Sequence, residues 1–439
     1  MVPRDQRHRS PRPAEGPPVE VDVERLSAEG EGVARWKGRG LFIPGALPGE
    51  RARVAPVSGG KVQRGRLLEV LRPAAERIAP GCPLAGTCGG CDWLHLAPAA
   101  QGRARQEAVA SALERLGRLD LSAVRWLPPV AAGNLGTRRR ADLHWDGRAL
   151  GFLRYRSHEA IPVDRCPALV GALADLPGRL SPLLAPLGRG LRSVQLVSEE
   201  ERVSAALELA GAVKPRARDV GRELVRSGLQ GVVLVPEHGP AEDVGRPTLR
   251  GPAPLRPEVP LLLRPEAFVQ AHAGATPLLV DRALALLEPA PGASALELYA
   301  GNGTFTFALA ARVASVLAVE SSAVSVRLAG AAAAEARLTN VRFVEGDAER
   351  VARGLAREGR RFDVLLADPP RAGAPGLAPV ARQLAVRRLV YVACEPGALA
   401  RDAAALVGNG FRLTTLQLVD MFPGTHHSET VAAFASGPE

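Results

Sequence analysis

Lysine is almost missing from this chain: Lys37, Lys61 and Lys214 are the only three among 56 basic residues, and the rest are arginine. Aromatic residues make up just 4%. Both shortages reflect a bias toward arginine, alanine and glycine along the whole sequence, so no single basic run identifies a binding site by itself. No apolar run approaches the length of a bilayer span, which excludes a membrane-crossing helix. The first residues, Met1-Val-Pro-Arg-Asp-Gln-Arg-His-Arg9, have no apolar core of the kind a secretory signal carries. The expected compartment is therefore the cytoplasm, with no membrane partner. Cysteine is scarce too, at five residues. An odd handful of thiols argues against a disulfide framework and suits a metal site plus one reactive thiol.

What is present is ordinary for a globular protein. The 439 residues are 46% hydrophobic, enough for roughly two to three domains with their own cores. The net charge of +10 suits a polyanionic partner, RNA being the first expectation. Residues 1–18 are rich in arginine and proline, without periodicity, and read as a disordered tail. Residues 19–75 hold five short β-patterned runs separated by glycines, the pattern of a small oligonucleotide-binding (OB-like) barrel. Arg35, Lys37, Arg39, Arg51, Arg53, Lys61, Arg64 and Arg66 decorate it, and a barrel with this many cations suits RNA.

Residues 76–262 read as a central β-rich domain. It opens with Cys82, Cys88 and Cys91 in a glycine-rich loop, a spacing typical of metal ligands. Cys166 is the remaining candidate for a fourth. Four thiolates leave zinc and an iron–sulfur cluster both open. A helix is expected over 97–119, and a β-rich stretch from Val124 to Val235 includes Arg138-Arg139-Arg140, an RNA contact or a charged strand edge. Residues 236–258, rich in proline and glycine, read as a surface excursion. From residue 263 to 439 helices and strands alternate, the pattern of a doubly wound, Rossmann-like parallel sheet. The fold class is thus multidomain α/β.

Three strand ends in this last region carry chemistry. Val390-Tyr-Val-Ala-Cys394-Glu-Pro396 is a strand that delivers one thiol at its carboxyl end, where Pro396 stops the ladder. A lone intracellular cysteine is more often a small core residue, but its neighbours argue otherwise. Leu365-Leu-Ala-Asp368-Pro-Pro-Arg371 ends a second strand in a carboxylate and a rigid turn. Leu296-Glu-Leu-Tyr-Ala-Gly301-Asn-Gly303 ends a third in a glycine turn, with Glu320 closing the next strand and Asp347 the one after. That acid series matches an S-adenosylmethionine site, with the ligand at the carboxyl edge of the sheet.

Taken together these motifs resemble the RNA (uracil-5-)-methyltransferase family over nearly the whole chain. Gly30-Glu-Gly-Val-Ala and Phe42-Ile-Pro-Gly-Ala-Leu-Pro-Gly-Glu50 resemble a TRAM domain. Cys82, Cys88, Cys91 and Cys166 match the family's cluster motif, which implies a 4Fe-4S cluster. Phe268-Val-Gln270, Asp368 to Gly373, Cys394 to Asp402 and Asp420 to Glu429 match its remaining signatures. The resemblance implies S-adenosylmethionine-dependent methylation of uridine carbon 5, through a thiolate adduct on the ring made by Cys394 and resolved by Glu429 as base. Gln270, Tyr299, Gly301, Gly303, Thr304, Glu320, Asp347 and Asp368 are then the cofactor-side residues. The expected substrate is 23S ribosomal RNA, acted on by a monomer. Transfer RNA with the same chemistry, or a non-catalytic iron–sulfur protein that binds RNA, are the alternatives. The chain departs from the family pattern at Glu297, Ala300, His272, Ala393 and Glu395. Glu395 is expected to set a negative charge beside the thiol and raise its pKa.

Overall fold

In a computed structural model, residues 15–57 and 62–437 are described. The expected tail up to residue 14, and Lys61, lie outside them. Residues 15–18, expected to belong to that tail, instead adjoin the barrel: Glu15 forms a β-bridge with Val57, and Gly16 donates to the Pro56 carbonyl at 2.7 Å.

The first unit is a closed barrel in the order Val19–Leu26, Gly32–Trp36, Arg39–Ile43, Gln63–Arg72, Arg51–Val57. Alternate residues point inward, and Val21, Val23, Ala34, Leu41, Ile43, Ala52 and Val54 fill the interior. Most of the cations face acids across neighbouring strands instead of standing free. Arg51 pairs with Glu20 at 3.3 Å, Arg53 with Glu69 at 2.6 Å and Arg66 with Glu15 at 2.6 Å.

The middle unit is a seven-stranded sheet in the order Glu242–Gly245, Gly231–Pro236, Arg202–Leu209, Leu191–Glu199, Arg140–Trp145, Leu150–Leu153, Ala160–Pro162. Helices Leu176–Leu184 and Pro215–Arg226 pack on it through a leucine- and valine-rich core that includes Leu143, Leu180, Leu196, Leu207 and Leu224. The expected excursion at 236–258 is not a loop. Glu242–Gly245 is an edge strand of this sheet, and Leu249–Ala253 pairs with Arg256–Leu263 as a hairpin. Pro252 and Pro257 fall in the two-stranded hairpin, where a missing N–H costs little, and Pro240, Pro247 and Pro254 lie between strands.

The last unit is an eight-stranded sheet in the order Val341–Glu345, Ser315–Glu320, Ser294–Leu298, Val364–Ala367, Arg388–Ala393, Glu429–Ser436, Phe411–Asp420, Arg125–Ala131. Its strand order reverses at Ser294–Leu298, the topological switch where α/β sheets bind ligands. One expectation fails here. The strand Arg125–Ala131 belongs to this sheet, parallel to Phe411–Asp420, and not to the central region. The helix Pro98–Arg115 likewise joins the core of this sheet through Val109, Ala112 and Leu113. Their apolar residues mate with surfaces laid down some 300 residues later, which no local pattern reveals.

Candidate active site

Side chains alternate between the two faces of a strand, and the two cores of the large sheet record which face each residue takes. Leu296, Leu365, Tyr391 and Ala432 lie in one core; Ala295, Leu366, Val392 and Val431 lie in the other. By this parity Glu297, Asp368, Cys394 and Glu429 all sit on the second face. They come from four neighbouring strands. In the antiparallel ladder Ala393 stands opposite Thr430, so the next pair outward sets Cys394 opposite Glu429.

The face is acidic, with Glu297 and Glu429 buried and Asp368 and Cys394 half-buried. Glu297 is fully buried with neither carboxylate oxygen in a well-aligned hydrogen bond; burial first, opposed by the nearby Thr306 hydroxyl and helped by Asp368 and Glu320, lifts its pKa to about 8. Burial also raises Asp368 to about 7, against the opposing effect of Gln270, whose side-chain amide donates to Asp368 Oδ2 at 2.9 Å. Glu429 is pushed well above the ordinary carboxylate range by burial and then by Asp368, and its Oε1 has no partner. The Cys394 thiol rises to about 12, through burial first and then Glu429 and Asp368, with Arg371 opposing. Such a cluster favours a cationic ligand, whose charge would draw all four toward ionisation.

The expected effect of Glu395 is not seen. Its carboxylate turns away to cap the helix Pro396–Gly408, accepting from the Ala398 N–H at 2.5 Å, and it is not among the main groups that shift the thiol. The negative charges that do so come from Glu429 and Asp368, on other strands.

The glycine turn is shaped for close backbone approach. Gly301 and Gly303 have φ of 57° and 93°, and Tyr299 between strand and turn has φ of 63°, a costly conformation for a side-chain residue. A Cβ on Gly303 would stand 2.7 Å from the Phe307 ring. Glu320 accepts from the Gly301 N–H at 2.9 Å, and Thr304 donates to Asn302 at 3.1 Å. Asp347 caps the helix Ala348–Arg357 by accepting from Arg350 N–H at 2.8 Å. These residues line the carboxyl edge of three adjacent strands, as a nucleoside-bearing cofactor requires.

Cys82, Cys88, Cys91 and Cys166 line one cavity of about 460 Å³, together with Arg138, Arg371, Phe422 and His427. Burial raises the Cys91 thiol to about 11, and the other cysteines add to the shift while Arg138 opposes it. Among the described residues no group of three or more Cys, His, Asp or Glu side chains is close enough to hold a single metal ion. The thiols share a cavity without converging on one point.

Several structural residues escape a sequence reading. Arg139 and Arg140, taken as RNA contacts or a charged edge, point inward. Arg139 pairs with Glu199 at 2.9 Å and donates to the Gln270 carbonyl at 3.0 Å, and Arg140 donates to the Ala267 carbonyl at 2.5 Å. They fix the segment that carries Gln270. Asp402 is buried and accepts from Tyr391 Oη at 2.6 Å and from Ala374 N–H at 2.7 Å, tying the loop after Asp368 to the helix after Cys394.

A family model described as tRNA (uracil-5-)-methyltransferase matches residues 263–435, and a TRAM domain model matches residues 14–55. The chain is 33% identical to the 23S rRNA (uracil(1939)-C(5))-methyltransferase RlmD of Pseudomonas putida, over 98% of this chain and 96% of that one. It is 34% identical to the protein of the same name from Alkalilimnicola ehrlichii, over 98% of each. Among solved structures, the Pyrococcus abyssi tRNA (uracil-54, C5)-methyltransferase in complex with S-adenosyl-L-homocysteine shares the fold, with a TM-score of 0.74 at 22% identity over 95% of this chain and 99% of that one. The glycine turn, the acid strand and the thiol strand thus stand in a chain that belongs to the S-adenosylmethionine-dependent RNA (uracil-5-)-methyltransferase family, with an N-terminal TRAM barrel.

Proposed function

We propose that this enzyme methylates carbon 5 of a uridine in 23S ribosomal RNA through a covalent adduct between Cys394 and the ring. The observation that carries the reading is the register that ends at Ala393 opposite Thr430 and so brings Cys394 and Glu429 together one step beyond the ladder, with Asp368 on the same face. Carbon 5 of uracil is a poor nucleophile, so a thiolate must first add to carbon 6. Cys394 makes that bond and turns the ring into an enolate. S-adenosylmethionine, when bound, supplies the methyl group as an electrophilic sulfonium. Glu429 then takes the carbon 5 proton, the ring double bond re-forms, and the carbon–sulfur pair returns to Cys394. Gln270 orients Asp368, and Tyr299, Gly301, Gly303, Thr304, Glu320 and Asp347 hold the cofactor. The target base must be flipped or lie in a loop to reach this buried face.

Ribosomal RNA is favoured over transfer RNA because the relatives aligned along nearly the whole chain carry that name at 33–34% identity, whereas the transfer RNA enzyme is 22% identical. That substrate implies a cytoplasmic enzyme, and one chain carries every group the reaction needs, which suits a monomer. Mapping 5-methyluridine across total RNA with and without the gene tests the assignment. One site lost from 23S RNA is expected; an unchanged ribosomal map with a site lost from transfer RNA would overturn it.

The shared cavity of Cys82, Cys88, Cys91 and Cys166 supports a 4Fe-4S cluster over a single ion, because a tetrahedral ion needs all four sulfurs within about 2.3 Å of one point. The four thiolates would hold it, with Arg138 offsetting their charge, in a structural role. Anaerobically purified protein should be brown and contain iron; stoichiometric zinc without iron would sink the idea.

A further inference from the structure

The loop 421–428 joins Phe411–Asp420 to Glu429–Ser436 and has no helix or strand of its own. It nevertheless decides where Glu429 begins its strand. Met421, Thr425 and Ser428 are buried, so its backbone needs internal partners. Some lie just before the helix Pro98–Arg115, where Trp93 N–H donates to the Gly424 carbonyl at 2.9 Å and Asp92 accepts from His426 N–H at 3.0 Å; the buried side-chain ones come from the helix itself. Arg105 is 3% exposed; it pairs with Asp420 at 2.9 Å and donates to the Thr425 carbonyl at 2.9 and 3.1 Å and to the Phe422 carbonyl at 3.1 Å. Gln101 is 5% exposed; its oxygen accepts from Gly424 N–H at 2.9 Å and from Arg105 at 3.2 Å. Its amide donates to the carbonyls of Trp93 and Leu96 at 3.2 and 2.8 Å.

A buried guanidinium is costly unless its donors are matched. Here they are aimed almost wholly at the start and middle of one loop, at Asp420, Phe422 and Thr425. The helix meets the rest of the sheet through other positions, Val109, Ala112 and Leu113, so the polar stripe is separable from the apolar packing. Cys394, by contrast, is set by the Arg388–Ala393 strand and the capped helix that follows it.

We propose that Arg105, with Gln101 beside it, is a positioning residue for proton abstraction: the pair moulds the loop 421–428 so that the Glu429 carboxylate meets the carbon 5 proton, while thiol addition and methyl transfer proceed without it. This rests on the reading of Glu429 as the base. In the step served, the carbon 5–hydrogen bond breaks, its pair closes the ring double bond, the carbon 6–sulfur pair goes to Cys394, and the proton goes to Glu429. A misplacement of about 1 Å at such a carboxylate can cost on the order of 100-fold in its step.

The test compares Arg105→Lys, Gln101→Leu and Glu429→Gln with the wild type on a transcript of 23S ribosomal RNA, quenched in denaturant. Arg105→Lys keeps the charge opposite Asp420 but loses the fork onto the carbonyls. Single-turnover methyl transfer within about threefold of wild type is expected, with release slowed at least about tenfold and a methylated protein–RNA band accumulating as in Glu429→Gln. A loss of cofactor affinity, addition and release in equal proportion would mean simple structural support and would overturn the inference, as would normal release. Should Arg105→Lys not fold, Gln101→Leu decides by the same band. If Glu429→Gln itself accumulates no adduct, the base assignment fails first and takes this inference with it; if Glu429→Gln accumulates adduct and neither other variant does, only this inference fails.

Discussion

The barrel and the catalytic edge of the large sheet handle charge in opposite ways. On the barrel, arginines and glutamates alternate across exposed strands and pair: Arg51 with Glu20, Arg53 with Glu69, Arg66 with Glu15. At the catalytic edge Glu297 and Glu429 are buried and Asp368 and Cys394 half-buried on one face, and no cation is paired with any of the three carboxylates among the described ion pairs. Exposed pairs contribute little to stability and are easily rearranged, so the barrel can exchange acids for phosphates at small cost. Buried like charges are expensive and persist only where a ligand completes them. Under the function proposed above, the difference separates a surface that would lend affinity from a cluster that would do chemistry.

The largest effects should come from breaking the buried cluster. Cys394→Ala is expected to lower methylation at least about 10⁴-fold with no adduct in denaturing gels, because no other group can add to the ring. Glu429→Gln should lower multiple turnover by about 10² to 10⁴-fold while adduct accumulates. Full turnover in the glutamine variant would remove Glu429 from the chemistry, and activity without Cys394 would overturn the reaction class.

A smaller effect concerns pH. The raised pKa values of Asp368 (about 7) and Glu297 (about 8) mean that the folded protein holds protons that the unfolded chain releases. Their stability contribution is present in full below the ordinary carboxylate pKa and is lost as pH rises through the raised values. The melting temperature of the cofactor-free protein should therefore fall by a few degrees between pH 5 and pH 8. Glu297→Gln should flatten that slope, and an unchanged slope would refute the assignment. Smallest of all is the barrel: Arg51→Gln with Arg53→Gln should move the melting temperature by no more than about 2 °C yet reduce the salt dependence of RNA binding. An unaltered salt slope would mean that these arginines serve only their glutamates.

The sequence made the local devices legible. The barrel strands, the helix Pro98–Arg115 and the strand ends at Asp368 and Cys394 could be read because their signals, alternation, proline stops and glycine turns, lie within a few residues. What could not be read was pairing at a distance. The strand Arg125–Ala131 looks like any β-run, and only its partner Phe411–Asp420 assigns it to the catalytic sheet. Arg139 and Arg140 looked like surface cations because arginine is so common here, and their carbonyl acceptors at Gln270 and Ala267 have no sequence mark. Glu395 was misjudged for the opposite reason: adjacency to Cys394 suggested interaction, but the helix N-terminus beyond it held the stronger claim on its carboxylate.

The contact between Arg105 and Thr425 spans 320 residues, and this sets a timetable for the newborn chain. The helix Pro98–Arg115 leaves the ribosome early, yet its buried guanidinium has no acceptor beyond Gln101 until the final strands emerge. At the usual pace of synthesis that wait is on the order of tens of seconds, during which the helix must stay open to solvent or to a chaperone. Glu429, the proposed base, is therefore seated among the last events of maturation, and on that proposal a chain cut short before its final hairpin would own a thiol but no means of letting go of RNA.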